Sequence, residues 1–417
     1  MKRILTVSAL TALVGAGLVG CAAESPKSSG PTEVSFSDWQ FSEPGRGDQL
    51  KKIVAEYNES QSQCVVNEMT IPYPDYAKTV LTRLGAGSGP DLMNFDYDVW
   101  VLAQKSHFLA DLGDKITVPE AGFVDADAKT IIDGKRYGMV WETNAYALIV
   151  NKQILDAAGV PIPTNWASFV SAAHKLTANG IYGFAFRNTM PEEAGWWSDL
   201  STWVYGFGGE WTNDSGAPTA NSPEVVKAVT EYSKFFADKV IPQGADAATY
   251  RTMFWEGKVA MMIDNGAVPG IVVAGNPDMQ KNIEVVPQPT PTKRHLQTIF
   301  PLAVNAKASD QKKACAIDFM NWTNEPKQQA ALIVASGGLG VSTPVDTPAD
   351  YLKERPWVST FRGLTDGVLL PAKGAEDKTA QIRHIVLAQV DQVMRQGVPV
   401  QRAMDEAQKE LEALLGK

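Results

Sequence analysis

Apolar and polar positions follow two rhythms along this chain. Residues 34–39 form a short run with the two-residue repeat of a strand, and residues 47–58 set Leu50, Ile53, Val54 and Tyr57 at helical spacing. A second strand is predicted over 64–71 and a helix over 76–84, which a glycine-rich stretch at 85–90 stops. A third strand follows over 91–95. Strand and helix alternate, so the expected class is α/β, with mainly parallel sheets flanked by helices. Ligands in such sheets bind beyond the carboxyl ends of strands, here the turns after Phe36, Phe95 and Tyr137. Residues 138–151 read as one long strand with polar residues in its middle, suited to crossing between two lobes. The pattern then restarts, with helices over 152–158 and 167–177 and a strand over 183–186. A further helix opens at Ser222, Pro223 and Glu224 and runs to 236, with serine as N-cap, proline first and an acid in the first turn.

The amino terminus follows neither rhythm. Lys2 and Arg3 precede an uncharged run that ends in Leu18-Val19-Gly20-Cys21, the marks of an export signal over 1–20 cut ahead of a cysteine. The match is to a bacterial lipobox, so Cys21 is expected to carry lipid and hold the chain on the outer, extracellular or periplasmic side of a cell membrane. The run is short for a membrane span and rich in Ala and Gly. Residues 21–31 read as a lipidated linker, because the Ser, Pro and Gly that fill it cannot bury enough surface to offset ordering.

Composition narrows the class. The chain has 417 residues, more than one core usually serves, so two lobes are expected. The net charge of −9, which becomes −11 once Lys2 and Arg3 leave with the signal, argues against nucleic acid and anionic lipid surfaces. Three cysteines are present. With Cys21 acylated, Cys64 and Cys315 remain, either a disulfide pair or two small buried apolar residues.

Four stretches carry a family resemblance. They are Tyr137-Gly138 leading to Ala147–Lys152, Ala158–Pro161 before Trp166, Phe254–Asp264, and Lys312–Trp322 continuing to Glu325-Pro326. In this order they resemble the extracellular solute-binding proteins of ABC importers, in the cluster of maltose- and multiple-sugar-binding proteins. The resemblance implies a two-lobed periplasmic-binding fold whose jaws close on a carbohydrate, a monomer working with permease subunits and needing no cofactor. It places lobe one over 32–142 and 300–342, and lobe two over 143–299 and 345–417. Hinges would fall near 142–146, 298–302 and 341–348.

A sugar site needs flat aromatic platforms and planar polar side chains, because a pyranose has apolar faces and a rim of hydroxyls. The chain holds eleven tryptophans. Trp39 and Gln40 follow the first strand, where the crevice is expected, and Tyr97 and Asp98 follow the third, with Trp100 packing the next helix. Trp141 and Glu142 lie at the expected hinge, and strand alternation turns one from the cleft unless the strand is kinked. Residues 187–197 are expected to form a loop that offers Arg187 and a stacking platform at Trp196 or Trp197, with Trp203 in a helix core. Asp264 and Asn265 end a strand where relatives often carry an aromatic platform that Gly266-Ala267 here lacks, so they stand as polar contacts. Gly338, in a glycine-rich turn, and Arg383, beside His384 on a late helix, complete the candidates.

No metal is expected. Asp96 and Asp98 have the spacing of two calcium ligands, without the glycine turn or distal glutamate of such a loop. His107, His174, His295 and His384 are scattered, with no zinc or Cys/His spacing. Two rivals remain: a receptor of the same fold for a polyol or glycerophosphodiester, which Arg187 would meet, and a surface-tethered glycoside hydrolase.

Overall fold

The computed structural model describes residues 30–338, 340–364 and 367–417. Cys21 and the expected export signal lie outside them. The fold is two-lobed α/β, and its lobes share one curled sheet. Strand Thr32–Ser37 lies parallel to Cys64–Met69 on one side and to Leu92–Asn94 on the other. Leu92–Asn94 pairs antiparallel with Leu296–Val304, which pairs antiparallel with Met139–Asn151. The far half of Met139–Asn151 pairs antiparallel with Met261–Asn265 and Ile283–Val286.

The sheet is therefore more mixed than the mainly parallel one expected. The reason is connectivity: Met139–Asn151 carries the chain out of the first lobe and Leu296–Val304 brings it back, so the two must run in opposite directions. The ladder between them shifts register at Val140/Glu142, the kink that strand alternation alone could not supply. Residues 183–186, expected as a strand, make only one isolated bridge, Ala185 to Met262, next to that of Tyr182 to Val259. A Cβ on Gly183 would sit 1.8 Å from the Ala173 carbonyl oxygen, so this segment is pressed onto helix Trp166–Leu176.

Helices cover both sides. Helix Arg46–Ser60 buries Leu50, Ile53, Val54 and Tyr57, and helix Pro223–Ala237 starts where the Ser222 hydroxyl accepts from the Val225 N–H. The core divides in two. One part gathers Phe36, Tyr57, Trp141 and Phe319, with Trp39, Tyr76, Phe95 and Trp100 beside them. The other gathers Phe184, Trp203, Tyr232, Ile382 and Val386, with Tyr250, Phe254 and Trp357 beside them. Cys64 and Cys315 form a disulfide with Cα atoms 5.6 Å apart, joining strand Cys64–Met69 to helix Asp310–Thr323. Among the described residues, no helix is long and apolar enough to cross a membrane.

Candidate functional site

Between the lobes lies a cavity of about 300 Å³, at the lower end of small-molecule sites. The first lobe supplies Tyr73 from the start of helix Tyr73–Gly85, and Asp96 and Asp98 from the turn after Leu92–Asn94. Glu192, Gly195 and Arg383 face them from segments packed into the second core. Arg383 Nη1 reaches across to Asp98 Oδ2 at 3.3 Å, and at the rim Lys105 Nζ reaches Asp377 at 2.7 Å. A larger cavity of about 760 Å³ lies against Thr143, Ala145, Gln297 and Ile299, and shares no residue with the first. The Asp98–Arg383 salt bridge between the lobes lines the smaller one, so the smaller one is the candidate site.

Asp96 occupies the N-cap of helix Tyr97–Lys105, yet its carboxylate accepts no bond from that helix. An N-cap aspartate ordinarily satisfies the N–H groups of the first turn. Here the side chain lines the cavity instead, without a salt-bridge partner among the described residues, since Arg383 is taken by Asp98. Burial and the neighbouring Asp98 push Asp96 up to about 7, against the pull of Arg383 and the Tyr73 hydroxyl. Deeper in the same lobe, Asp38 accepts from the Gln40 N–H at 2.9 Å and from Asn94 Nδ2 at 3.2 Å. Burial carries Asp38 to about 7, opposed by the Gln40 N–H and Arg46. Arg46 pairs with Glu142, whose carboxylate also accepts from Gln40 Nε2 at 3.4 Å. Gln40 Oε1, Asn94 Oδ1 and Glu142 Oε1 are buried without protein partners. Each such atom costs about 1–3 kcal/mol unless water or solute meets it.

In the second lobe each of the buried acids has a guanidinium partner, although at Asp199 burial outweighs Arg187 and carries the carboxyl to about 7. Arg187 Nε donates to Glu192 at 3.1 Å and its Nη1 to Asp199 at 2.7 Å. Arg251 grips both Asp264 oxygens at 2.9 and 3.0 Å, and the Tyr250 hydroxyl donates to Asp264 at 2.7 Å. Burial alone would raise Asp264, but Arg251 and Arg187 outweigh it and hold it below the usual carboxylate range. Gly195 is required here, because a Cβ would sit 2.5 Å from Arg187 Nε.

The structure brings together Gln40 with Glu142, and Asp98 with Arg383. It disperses other candidates. Trp39 is buried among Tyr73, Tyr76 and Phe300, and Trp141 packs on Phe36 in the first core. Residues 193–197 are not loop but the first turns of helix Glu193–Gly206, which turns Trp196 and Trp197 into the second core. Trp196 Nε1 donates to the Tyr232 hydroxyl and Trp197 stacks on Trp211, so neither is a platform here. Asp264 is fully buried against Arg251, and Asn265 Oδ1 accepts from the Ala267 N–H, closing a turn. Gly338 points its N–H at the Ile333 carbonyl and abuts Val358, a packing position rather than a contact for a ligand. Tyr97 stacks on Trp100, while Arg187 stands one residue behind the cavity wall, bonded to Glu192. Sequence reasoning missed Tyr73 and Glu192 as residues of the cavity wall and set Asp96 aside with the calcium spacing. A carboxylate at an N-cap just after a strand is the one signal that could have found Asp96.

The model of the bacterial extracellular solute-binding proteins matches residues 42–330, more than half of the chain. The chain belongs to that family. Among relatives of this solute-binding protein, YcjN of Escherichia coli K12 is 24% identical over 82% of this chain and 80% of its own length. An ABC transporter solute-binding protein from Thermotoga lettingae, bound with α-D-tagatose, superposes with a TM-score of 0.80 at 20% identity, covering 93% of this chain and all of that one. The GacH receptor of Streptomyces glaucescens, solved unliganded and with acarbose, gives 0.81 at 20% identity over 93% and 99%. These likenesses bear out the two-lobed fold and the solute-binding family.

Proposed function

We propose that this solute-binding protein captures a carbohydrate, an oligosaccharide in its natural setting, between its lobes and delivers it to the permease of an ABC importer. The observation that carries the reading is the interlobe cavity, where side chains of both cores converge on one space. Tyr73 gives an aromatic face, and Asp96, Asp98 and Arg383 give the planar polar groups that a hydroxyl rim needs. The sugar ligands of the Thermotoga and Streptomyces neighbours support the same chemistry. Solute bridging the lobes stabilises the closed arrangement and shifts a hinge equilibrium, with no bond made or broken. Lobe one takes 32–142 and 300–342 and lobe two takes 143–299 and 345–417, a division supported by the two cores. The monomer is held at the outer face of the membrane by lipid on Cys21, which raises its effective concentration at the permease. A phosphodiester is disfavoured, because the cavity lining carries more carboxylates than cations and Arg187 is already bonded to Glu192 of that lining and to Asp199 behind it.

Calorimetry over a panel of mono- and oligosaccharides tests this reading. Binding of at least one sugar with micromolar or tighter affinity, about −8 kcal/mol, is expected. A folded protein that stays silent to every sugar overturns the carbohydrate assignment.

A further inference from the structure

The cavity carries one carboxylate too many. Its ionisable lining consists of Lys78 and Arg383 against Asp96, Asp98, Glu192 and Glu193. Three of the four acids have cationic or imidazole partners: Asp98 has Arg383, Glu192 has Arg187, and Glu193 has His384. Lys78 is exposed and forms no salt bridge among the described residues. That leaves Asp96, set between the lobes, turned away from its own helix and beside a second acid. A carboxylate partly withdrawn from water, with no salt bridge of its own among the described residues, is costly: burial and Asp98 push this one toward its protonated form, and the Tyr73 hydroxyl and the more distant charge of Arg383 only partly oppose them. The cost falls if the solute itself brings the positive charge.

We propose that the cleft selects a polyhydroxylated solute bearing a protonated amine, an amino sugar or an oligosaccharide of amino sugars, and that Asp96 is the residue that meets the ammonium. The inference deepens the carbohydrate reading above and rests on it. The ammonium donates to the Asp96 carboxylate, while the tyrosine face of Tyr73 lies within the same cavity and favours a cation further. Asp98 remains engaged by Arg383, so the two acids take different work: one holds the lobes together and the other reads the charge of the solute.

Matched pairs that differ by one group provide the test, with affinities measured by calorimetry at pH 7. Glucosamine is compared with glucose, and the deacetylated chitin disaccharide with both cellobiose and N,N′-diacetylchitobiose. The amine member of at least one pair is expected to bind at least about ten-fold tighter than its neutral counterpart, about 1.4 kcal/mol. Asp96→Asn should bring that pair to within about three-fold, while Asp96→Glu, which keeps the charge, should retain the preference. Equal binding, tighter binding of the neutral members, or a preference that survives in Asp96→Asn overturns the inference. In those cases the neutral sugars still bind and the carbohydrate reading stands; silence from every member removes both.

Discussion

The two walls of the cleft handle buried charge in opposite ways. On the second lobe, Glu192, Asp199 and Asp264 each sit within 3.1 Å of a guanidinium, and the Tyr250 hydroxyl and backbone N–H groups take up oxygen lone pairs besides. On the first lobe, Asp96 on the cavity wall forms no salt bridge among the described residues; outside the cavity lining, Asp38 leans on an amide and a backbone N–H, and Gln40, Asn94 and Glu142 each retain a buried oxygen with no partner among those residues. A matched network is insensitive to what occupies the cleft, because its partners are already in place. An unmatched one is sensitive, because solute or water must finish it. On the proposed reading the second lobe serves as scaffold, and the first lobe responds to solute through Asp96, the acid that lines the cavity.

The sharpest way to break this comparison is to neutralise one acid on each wall. Asp264→Asn leaves Arg251 buried beside no counter-charge and should cost about 3–5 kcal/mol of unfolding free energy in urea. Asp96→Asn removes a burden and should leave stability unchanged or slightly raised. Equal losses would show that both walls are scaffold.

A pH series sharpens it next. Asp38 titrates near 7 in the folded chain, above its ordinary 3.8, so between those values the folded chain holds a proton that the unfolded chain has released. Stability from this group is therefore lost as pH rises through that window and stays lost above it. The solute-free protein should unfold at higher temperature at pH 5.5 than at pH 8. Asp38→Asn should flatten the slope by more than about 1 kcal/mol. Asp264, held low, contributes no slope in this range, whereas Asp96 and Asp199, which burial also carries to about 7, add slope of the same sign that survives in Asp38→Asn.

The smallest effect is expected at the rim. Lys105 is half exposed, so Lys105→Ala should change stability by less than about 1 kcal/mol, while weakening the salt dependence of solute affinity. A larger loss would make the rim pair, rather than the Asp98–Arg383 bridge, the main tie between the lobes.

The elements were legible where local forces decide them. The apolar stripe of Leu50, Ile53, Val54 and Tyr57 marked helix Arg46–Ser60, and the Ser222 cap marked the start of Pro223–Ala237. The long strand Met139–Asn151 was legible too, polar middle included. Local forces said little about residues 187–197. A glycine and two tryptophans are modest helix formers, and helix Glu193–Gly206 exists because Trp196, Trp197 and Trp203 all find partners in one core. A cluster of tryptophans reads equally as platform or as packing, since indole burial rewards both. Of the candidates named from the sequence, Asp98 and Arg383 stand together in the cavity wall and Gln40 and Glu142 stand together outside its lining, yet their pairing across 285 and 102 residues was not visible there.

By itself the sequence determined the alternation of strand and helix, the acidic balance of the chain, and the long strand Met139–Asn151 that crosses between the lobes. Those follow from periodicity, capping and composition, all read within a few residues of each other. Only the tertiary structure decided which carboxylates acquired a cation. A charge pair is set by distances of 3–4 Å between segments that fold together, so Asp264 became scaffold and Asp96 was left lining the cavity.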